Sequence, residues 1–138
     1  MNVNKIFSKI EPEKLLHVVF DTNEPFENRA DLSDANQWMQ VSAINIPKGK
    51  KVNPHIHNPR EQVASSAPGV TQECWIILRG EIKATLFDLN QNLLHEQKLS
   101  QGHLLITFSG GHSLECENGA LMVECKNGPY LGRDYTSF

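Results

Sequence analysis

The chain has 138 residues and a mass of 15.5 kDa, a length that predicts one domain able to bury a core without disulfides. Hydrophobic residues make up 39% and charged residues 21% of the sequence, which places it among globular proteins and excludes a disordered chain. The formal charge of −3 lacks the basic excess on which nucleic-acid binding depends, so we expect no nucleic-acid partner.

Residues 1–37 differ from the rest of the chain, and residues 21–34 within them are polar and rich in turn-forming residues. A short helix is predicted over residues 6–16, around residues 11–14, and a strand over residues 15–20. We expect this N-terminal extension to pack on the domain formed by residues 38–138 or on a partner subunit. The N-terminus lacks the features of a signal peptide, and no run approaches the ~18 apolar residues of a membrane span. The protein is therefore predicted to be cytoplasmic, with no membrane partner.

From Trp38 onward the sequence is a series of short strand-like runs separated by turn signals, such as Arg79-Gly80 and Gly110-Gly111. No amphipathic helical period interrupts these runs, so we expect an antiparallel all-β domain that closes into a sandwich, jelly roll or barrel to protect its edges. The predicted runs cover residues 38–46, 73–78, 81–89, 93–99, 104–108, 112–116 and 120–125.

His55 and His57 are the first candidate metal ligands. Residues two apart on a strand point to the same face, so both imidazoles can reach one ion. A His-x-His pair is equally compatible with two surface histidines on a loop when it is taken alone.

Glu73 and His112 extend this candidate site. If Trp75 faces the interior, Glu73 shares that face by the strand period of two, and a buried carboxylate needs a partner or an ion. His112 opens a strand directly after two glycines, where the backbone can turn sharply and approach closely. Three imidazoles and one carboxylate would form a mixed nitrogen and oxygen site for a divalent transition metal.

These residues resemble the cupin superfamily. Its first motif, G-x5-H-x-H-x3–4-E-x6-G, is matched in order by Gly49, His55, His57, Glu73 and Gly80. Its second motif, G-x5-P-x-G-x2-H-x3-N, is matched loosely by Gly102, Gly110 and His112, with Phe108 at the usual proline position and no asparagine. The resemblance implies a double-stranded β-helix, or jelly-roll barrel, with metal ligands at His55, His57, Glu73 and His112.

Within the superfamily, residues 73–82, 86–90 and 123–130 resemble the small cupin metalloproteins of the WbuC type. This resemblance covers roughly residues 38–135. Genes of that type often lie among surface-polysaccharide genes, which implies a role in polysaccharide biosynthesis. Because small cupin barrels commonly pair, we also expect a homodimer.

The spacing between His57 and Glu73 departs from the family pattern, since fifteen residues intervene. Glu61 satisfies the short spacing, but the small polar residues and Pro68 that follow it are not typical of a central strand. We therefore favour Glu73 as the ligand, with Glu61 as the alternative. The intervening segment is predicted to be a loop at the barrel mouth, where Arg60, Glu61 and Gln62 would contact substrate or solvent.

An ion with three imidazoles and one carboxylate keeps open positions, as catalytic sites do. Zinc, iron, nickel and manganese all accept this ligand set. We expect a metal-dependent enzyme, such as an isomerase or epimerase, for a small polar substrate such as a carbohydrate or nucleotide-sugar intermediate. The alternatives are a metal-dependent dioxygenase and a non-catalytic module that binds or senses a sugar or another small molecule.

Further residues are candidates for contacting the substrate or the side chains that bind the metal. Trp75 is a candidate for the core or the pocket wall, and both Trp75 and Tyr130 are candidates for substrate binding. Other titratable side chains are candidates for a general acid, a general base or a hydrogen-bond donor to the metal ligands. An exposed, solvated role would explain each of them equally well: Arg79, Lys83, His95, His103, Glu115, Tyr130, Arg133 and Tyr135.

Overall fold

The computed structural model describes residues 2–60 and 69–138 and confirms the all-β prediction. Within these residues no segment forms a helix, and so none offers a helical membrane span. The eleven strands are β1 (Val3–Phe7), β2 (Leu15–Phe20), β3 (Arg29–Asp31), β4 (Met39–Ile46), β5 (Lys50–His57), β6 (Glu73–Phe87), β7 (Leu93–Ser100), β8 (Leu104–Thr107), β9 (Gly111–Cys116), β10 (Ala120–Asn127) and β11 (Tyr135–Ser137).

Nine strands form one curled antiparallel sheet, in which β11, β5, β9, β6, β10, β4 and β3 follow one another. The long strand β6 connects the two halves of this sheet. Its first half pairs with β10 and β8, and its second half pairs with β9 and β7. Because one strand serves both halves, the sheet curls into a half-barrel with a concave inner face.

The turn predicted at Arg79-Gly80 is wrong, because β6 continues through it. Gly80 has a φ of +74°, and a Cβ at this position would collide with the carbonyl oxygen of Gly119. The pairing of β10 with β6 shifts register nearby, between Leu121 and Met122. The glycine therefore permits a bulge that bends one strand, and the chain does not reverse there.

The helix predicted over residues 6–16 is also wrong, whereas the strand predicted over residues 15–20 is confirmed. β1 and β2 form a separate antiparallel hairpin. The Ser8 hydroxyl accepts hydrogen bonds from the backbone N–H groups of Ile10 and Glu11 at 3.1 and 3.0 Å. A helix N-cap makes the same contact, so the serine does not itself exclude a helix. The pairing of β1 with β2 excludes it, because both ends of the predicted helix lie in strands and only a turn closed by Lys14 N–H and the Glu11 carbonyl oxygen at 2.8 Å remains between them.

The core follows the alternation of β6, in which Trp75, Ile77, Ile82 and Ala84 are buried. These side chains pack with residues from β4, β7, β9 and β10, among them Leu99, Leu114 and Met122. Glu73 lies on the same inner face as Trp75 and is also buried. The prediction that the strand period would bring this carboxylate inside is therefore confirmed.

The double glycine before β9 fixes where that strand begins. Gly110 has a φ of +87°, and a Cβ there would lie 2.7 Å from the carbonyl oxygen of Phe87. A Cβ on Gly111 would lie 3.1 Å from the carbonyl oxygen of His55. The close backbone approach predicted at this point is confirmed, and it places His112 beside the histidines of β5.

We expect Gly110→Ala to lower the free energy of unfolding by about 2–4 kcal/mol, because the methyl group meets both a left-handed backbone and a carbonyl oxygen. Gly49→Ala is the matched control, since Gly49 has a φ of +76° but its Cβ would meet nothing within 4 Å. The control should lose only about 1–2 kcal/mol. Urea denaturation of both variants measures the difference, and equal losses would contradict this interpretation of the double glycine.

Candidate metal centre

Four side chains from three strands converge on the inner face of the half-barrel. His55 and His57 come from β5, Glu73 from β6 and His112 from β9. In the ladder between β5 and β9, His55 lies directly opposite His112, and residues opposite each other share a face. The structure therefore brings together the four residues that the sequence predicts as ligands, and it buries all of them.

The distances among these side chains fit a single small ion. The ligand nitrogens of the three histidines lie within 4.8 Å of one another. Glu73 Oε1 lies 3.1 Å from His57 Nε2, and Glu73 Oε2 lies 3.3 Å from His112 Nε2. Each carboxylate oxygen thus faces one imidazole across the centre of the group.

Each imidazole is oriented by a partner at its other nitrogen. His55 Nδ1 lies 2.9 Å from the carbonyl oxygen of Asn53, and His57 Nδ1 lies 3.2 Å from Asp134 Oδ1. His112 Nδ1 lies 3.3 Å from Thr107 Oγ1. The carbonyl and carboxylate acceptors at His55 and His57 favour the tautomer with its proton on Nδ1, and the Thr107 hydroxyl can accept from His112 in the same way. This tautomer leaves the Nε2 lone pair directed at the centre, as in histidines that bind metal.

The Nε2 atoms of His57 and His112 are buried without a hydrogen-bond partner among the described residues. Their contacts with Glu73 are short, but they lack the direction of a hydrogen bond. In the Nδ1–H tautomer each contact would set a nitrogen lone pair against a carboxylate oxygen, which is repulsive. Protonation would need a proton on each imidazole to remove this repulsion, whereas a single metal ion satisfies both Nε2 atoms at once, so the donor set fits a divalent metal ion.

The electrostatics of the group favour an ionised carboxylate. Burial alone would raise the pKa of Glu73, but His112 and His57 outweigh it and hold that pKa well below its usual range. Burial lowers the pKa of His55. For His57 the effect of burial is outweighed by Glu73 and Asp134, which raise its pKa. Glu73 is therefore an anion at neutral pH and available to a cation.

Trp75 supports the centre from the side of the core. Its indole N–H donates to Glu73 Oε2 over 3.3 Å, and its ring lies 4.9 Å from the ring of His112, measured between centroids. The side chain is 5% exposed. Trp75 thus holds two of the four candidate ligands in place, and its contact with substrate stays a prediction.

The C-terminal strand covers the mouth of the centre, which the sequence did not indicate. β11 pairs with β5, so that Tyr135 lies opposite His57. The Tyr135 ring lies 4.8 Å from the ring of His55, and the Arg133 guanidinium lies 4.5 Å from the Tyr135 ring centroid. Two of the residues named as outer candidates therefore lie at the site.

Asp134 is the functional residue that sequence reasoning missed. Its carboxylate accepts from His57 Nδ1 through Oδ1 and from the hydroxyl of Thr71 through Oδ2. Asp134 is 77 positions from His57 in the chain, and no local pattern marks it. The only sequence signal for Asp134 is its position between two residues that were already candidates, Arg133 and Tyr135.

A cavity of about 1040 Å³ adjoins the centre. His55, His57, Glu73 and Trp75 form part of its wall. Tyr130, Arg133 and Tyr135 also line it, and their contact with a ligand stays a prediction. A space of this size exceeds what an ion and its water molecules need, so it has room for a small organic molecule.

The remaining candidates lie elsewhere or outside the described residues. Arg60 donates to the carbonyl oxygens of Pro129 and Gly128 at 3.1 and 3.0 Å and does not line the cavity. Glu61 and Gln62 fall outside the described residues. Five further candidates do not line the cavity either: Arg79, Lys83, His95, His103 and Glu115.

Comparison with solved structures identifies the fold. A cupin superfamily protein from Desulfitobacterium hafniense superposes with a TM-score of 0.54 and 17% identity, covering 75% of this chain and 82% of that one. KdgF from Halomonas gives a TM-score of 0.54 and 12% identity, covering 72% of this chain and 77% of that one. Oxalate decarboxylase from Bacillus subtilis gives a TM-score of 0.57 and 16% identity, covering 75% of this chain and 24% of that longer protein.

These similarities show that the chain has the cupin, or jelly-roll, fold, as the sequence predicts. No protein-family model and no curated protein matches the sequence. The resemblance to the WbuC type therefore stays a proposal.

We expect Asp134→Asn to weaken the affinity for Zn²⁺ about 10–100-fold, because an amide is a weaker acceptor for His57 Nδ1–H and no longer raises its basicity. Thr71→Val is the matched control, since it removes the other partner of Asp134 and keeps the carboxylate. Competition with a chromogenic chelator measures both affinities. Equal losses in the two variants would contradict a direct role of Asp134 in orienting His57.

Proposed function

We propose that this protein is a metal-binding cupin whose ion is held by His55, His57, Glu73 and His112. The observation that carries the proposal is the buried, unpartnered Nε2 atoms of His57 and His112 facing an ionised carboxylate. Solved structures of similar fold support it, since the Bacillus subtilis oxalate decarboxylase has Mn(II) centres. Zinc, iron, nickel and manganese are all compatible with three imidazoles and one carboxylate.

We further propose that the protein is an enzyme for a small polar substrate such as a carbohydrate or nucleotide-sugar intermediate, in line with its resemblance to the WbuC type. A divalent ion at this place supplies Lewis-acid chemistry for a bound carbonyl or hydroxyl group. The cavity of about 1040 Å³ has room for a molecule of this class.

The chain's own residues would position the substrate beside the ion. Trp75 fixes Glu73 and His112, and Asp134 fixes His57, so the ligand geometry is set before a substrate arrives. Tyr130 and Arg133 offer hydrogen-bond donors from the cavity wall. Tyr135 covers His55 and limits access of water to that side of the centre.

The first test is metal binding. We expect one equivalent of a divalent metal per chain, and we expect added metal at about 100 times its Kd to stabilise the fold by ~2.7 kcal/mol, which raises Tm by roughly 10 °C. His55→Ala should lose both the metal and the Tm shift. His95→Ala is the matched control because His95 is exposed and does not line the cavity.

A His55→Ala protein that keeps the metal-induced Tm shift would overturn the metal site. Turnover is tested separately by incubating the metal-loaded protein with nucleotide-sugars and with catechols. Conversion of a nucleotide-sugar supports the proposed enzyme, and conversion of a catechol favours a dioxygenase. Saturable binding without conversion favours a non-catalytic sugar-binding or sensing module.

A further inference from the structure

A row of alternating charges leads from the candidate metal centre along the inner wall of the cavity. β10 places Lys126 opposite Glu73 and Glu124 opposite Trp75, so both side chains of β10 point to the inner face. Arg29 and Asp31 continue the row from β3. These residues line the cavity, and the metal site does not use any of them except Glu73.

Lys126 is the cation nearest to the candidate ligands. Its Nζ lies 3.9 Å from Glu73 Oε1 and 3.3 Å from Glu124 Oε1. Among the described residues it forms the one lysine or arginine ion pair with a member of the ligand group. Its side chain is 23% exposed, so a molecule in the cavity can reach the ammonium group.

Arg29 is held in place by three hydrogen bonds, which leaves it less free than Lys126 to bind a ligand. Its Nε donates to Asp31 over 2.7 Å, and its Nη2 donates to Ser42 over 2.8 Å. The same Nη2 also contacts Glu124 Oε1 at 3.1 Å, so one carboxylate oxygen receives both Arg29 and Lys126. Glu124, which Arg29 holds, therefore positions Lys126. Among the described residues, the Lys126 ammonium group forms ion pairs only with the carboxylates of Glu73 and Glu124.

The charge balance of the cavity favours an anionic ligand. Among the described residues, four cationic side chains line it, namely Arg29, Lys50, Lys126 and Arg133. Four carboxylates of the same part of the chain also line it, namely Asp31, Glu73, Glu124 and Asp134. The charges of these eight side chains cancel, so a divalent ion at the centre adds two positive charges to a balanced lining. An excess charge in a partly enclosed space of low dielectric is costly, and an anionic group on the ligand offsets it.

We propose that Lys126 determines specificity by binding an anionic oxygen group, a carboxylate or a phosphate, of a ligand whose other oxygens face the metal centre. This inference rests on the proposed metal site and adds the chemical class of its ligand. When Glu73 serves the ion, its negative charge is committed there, and Lys126 is left with Glu124 alone. The ammonium then has donors free for the ligand's charged group.

The test uses cobalt(II)-loaded protein and follows the visible absorption of the cobalt during titration. The probes are glycerol, glycerate and glycerol 3-phosphate, which share hydroxyl groups and differ in charge. Imidazole is a neutral probe for the open coordination position alone. The variants are Lys126→Met and Lys126→Arg, with Lys98→Met as a control at an exposed lysine that forms an ion pair with Glu81 at 3.1 Å.

In the wild-type protein and in Lys98→Met, we expect glycerate or glycerol 3-phosphate to bind at least tenfold more tightly than glycerol. Lys126→Met should weaken binding of the preferred anion at least tenfold and leave imidazole binding unchanged. Lys126→Arg should keep most of the preference because it keeps the charge. The preferred anion distinguishes a carboxylate ligand from a phosphate ligand.

An unchanged preference for anions in Lys126→Met, or no preference in the wild-type protein, would overturn the role of Lys126. These outcomes leave the metal site intact, because imidazole still reports on the bound cobalt. A protein that takes up no cobalt would instead overturn the proposed function itself. The two failures are therefore distinguishable in one set of titrations.

Discussion

The approach of an ionised carboxylate to buried imidazole nitrogens is the constraint on which the rest of the site depends. Glu73 lies 3.1 and 3.3 Å from the Nε2 atoms of His57 and His112. In the tautomer with the proton on Nδ1 these contacts oppose lone pairs, and one metal ion makes both of them attractive without a proton on either Nε2. Trp75 holds the carboxylate from the core, so it cannot turn away without losing a buried hydrogen bond.

The fold brings these groups together by sharing one strand between two halves of a sheet. β6 supplies Glu73 at its start and then continues into the half that pairs with β9, the strand of His112. β10 runs beside the first half of β6 and adds Lys126 to the same face. The metal centre and the proposed anion site are thus neighbours because their strands are neighbours, and one ligand can contact both.

Local patterns, together with the resemblance to the cupin superfamily, predicted the fold class and the four candidate ligands that the structure brings together. His55 and His57 are two apart on one strand, and Glu73 follows the alternation of Trp75, so the period of two predicts which face each side chain shares. Asp134 and Lys126 could not be found in this way, because their roles depend on strand pairing between distant segments. The helix over residues 6–16 failed for a related reason, since its first and last residues lie in β1 and β2, which pair with each other.

The most direct measurement is anomalous diffraction from crystals of the protein loaded with Zn²⁺. The account predicts one strong anomalous peak within ~2.0–2.2 Å of the Nε2 atoms of His55, His57 and His112 and of one Glu73 oxygen. An anomalous peak bound by other residues, with these four side chains still facing one another and no ion between them, would contradict it.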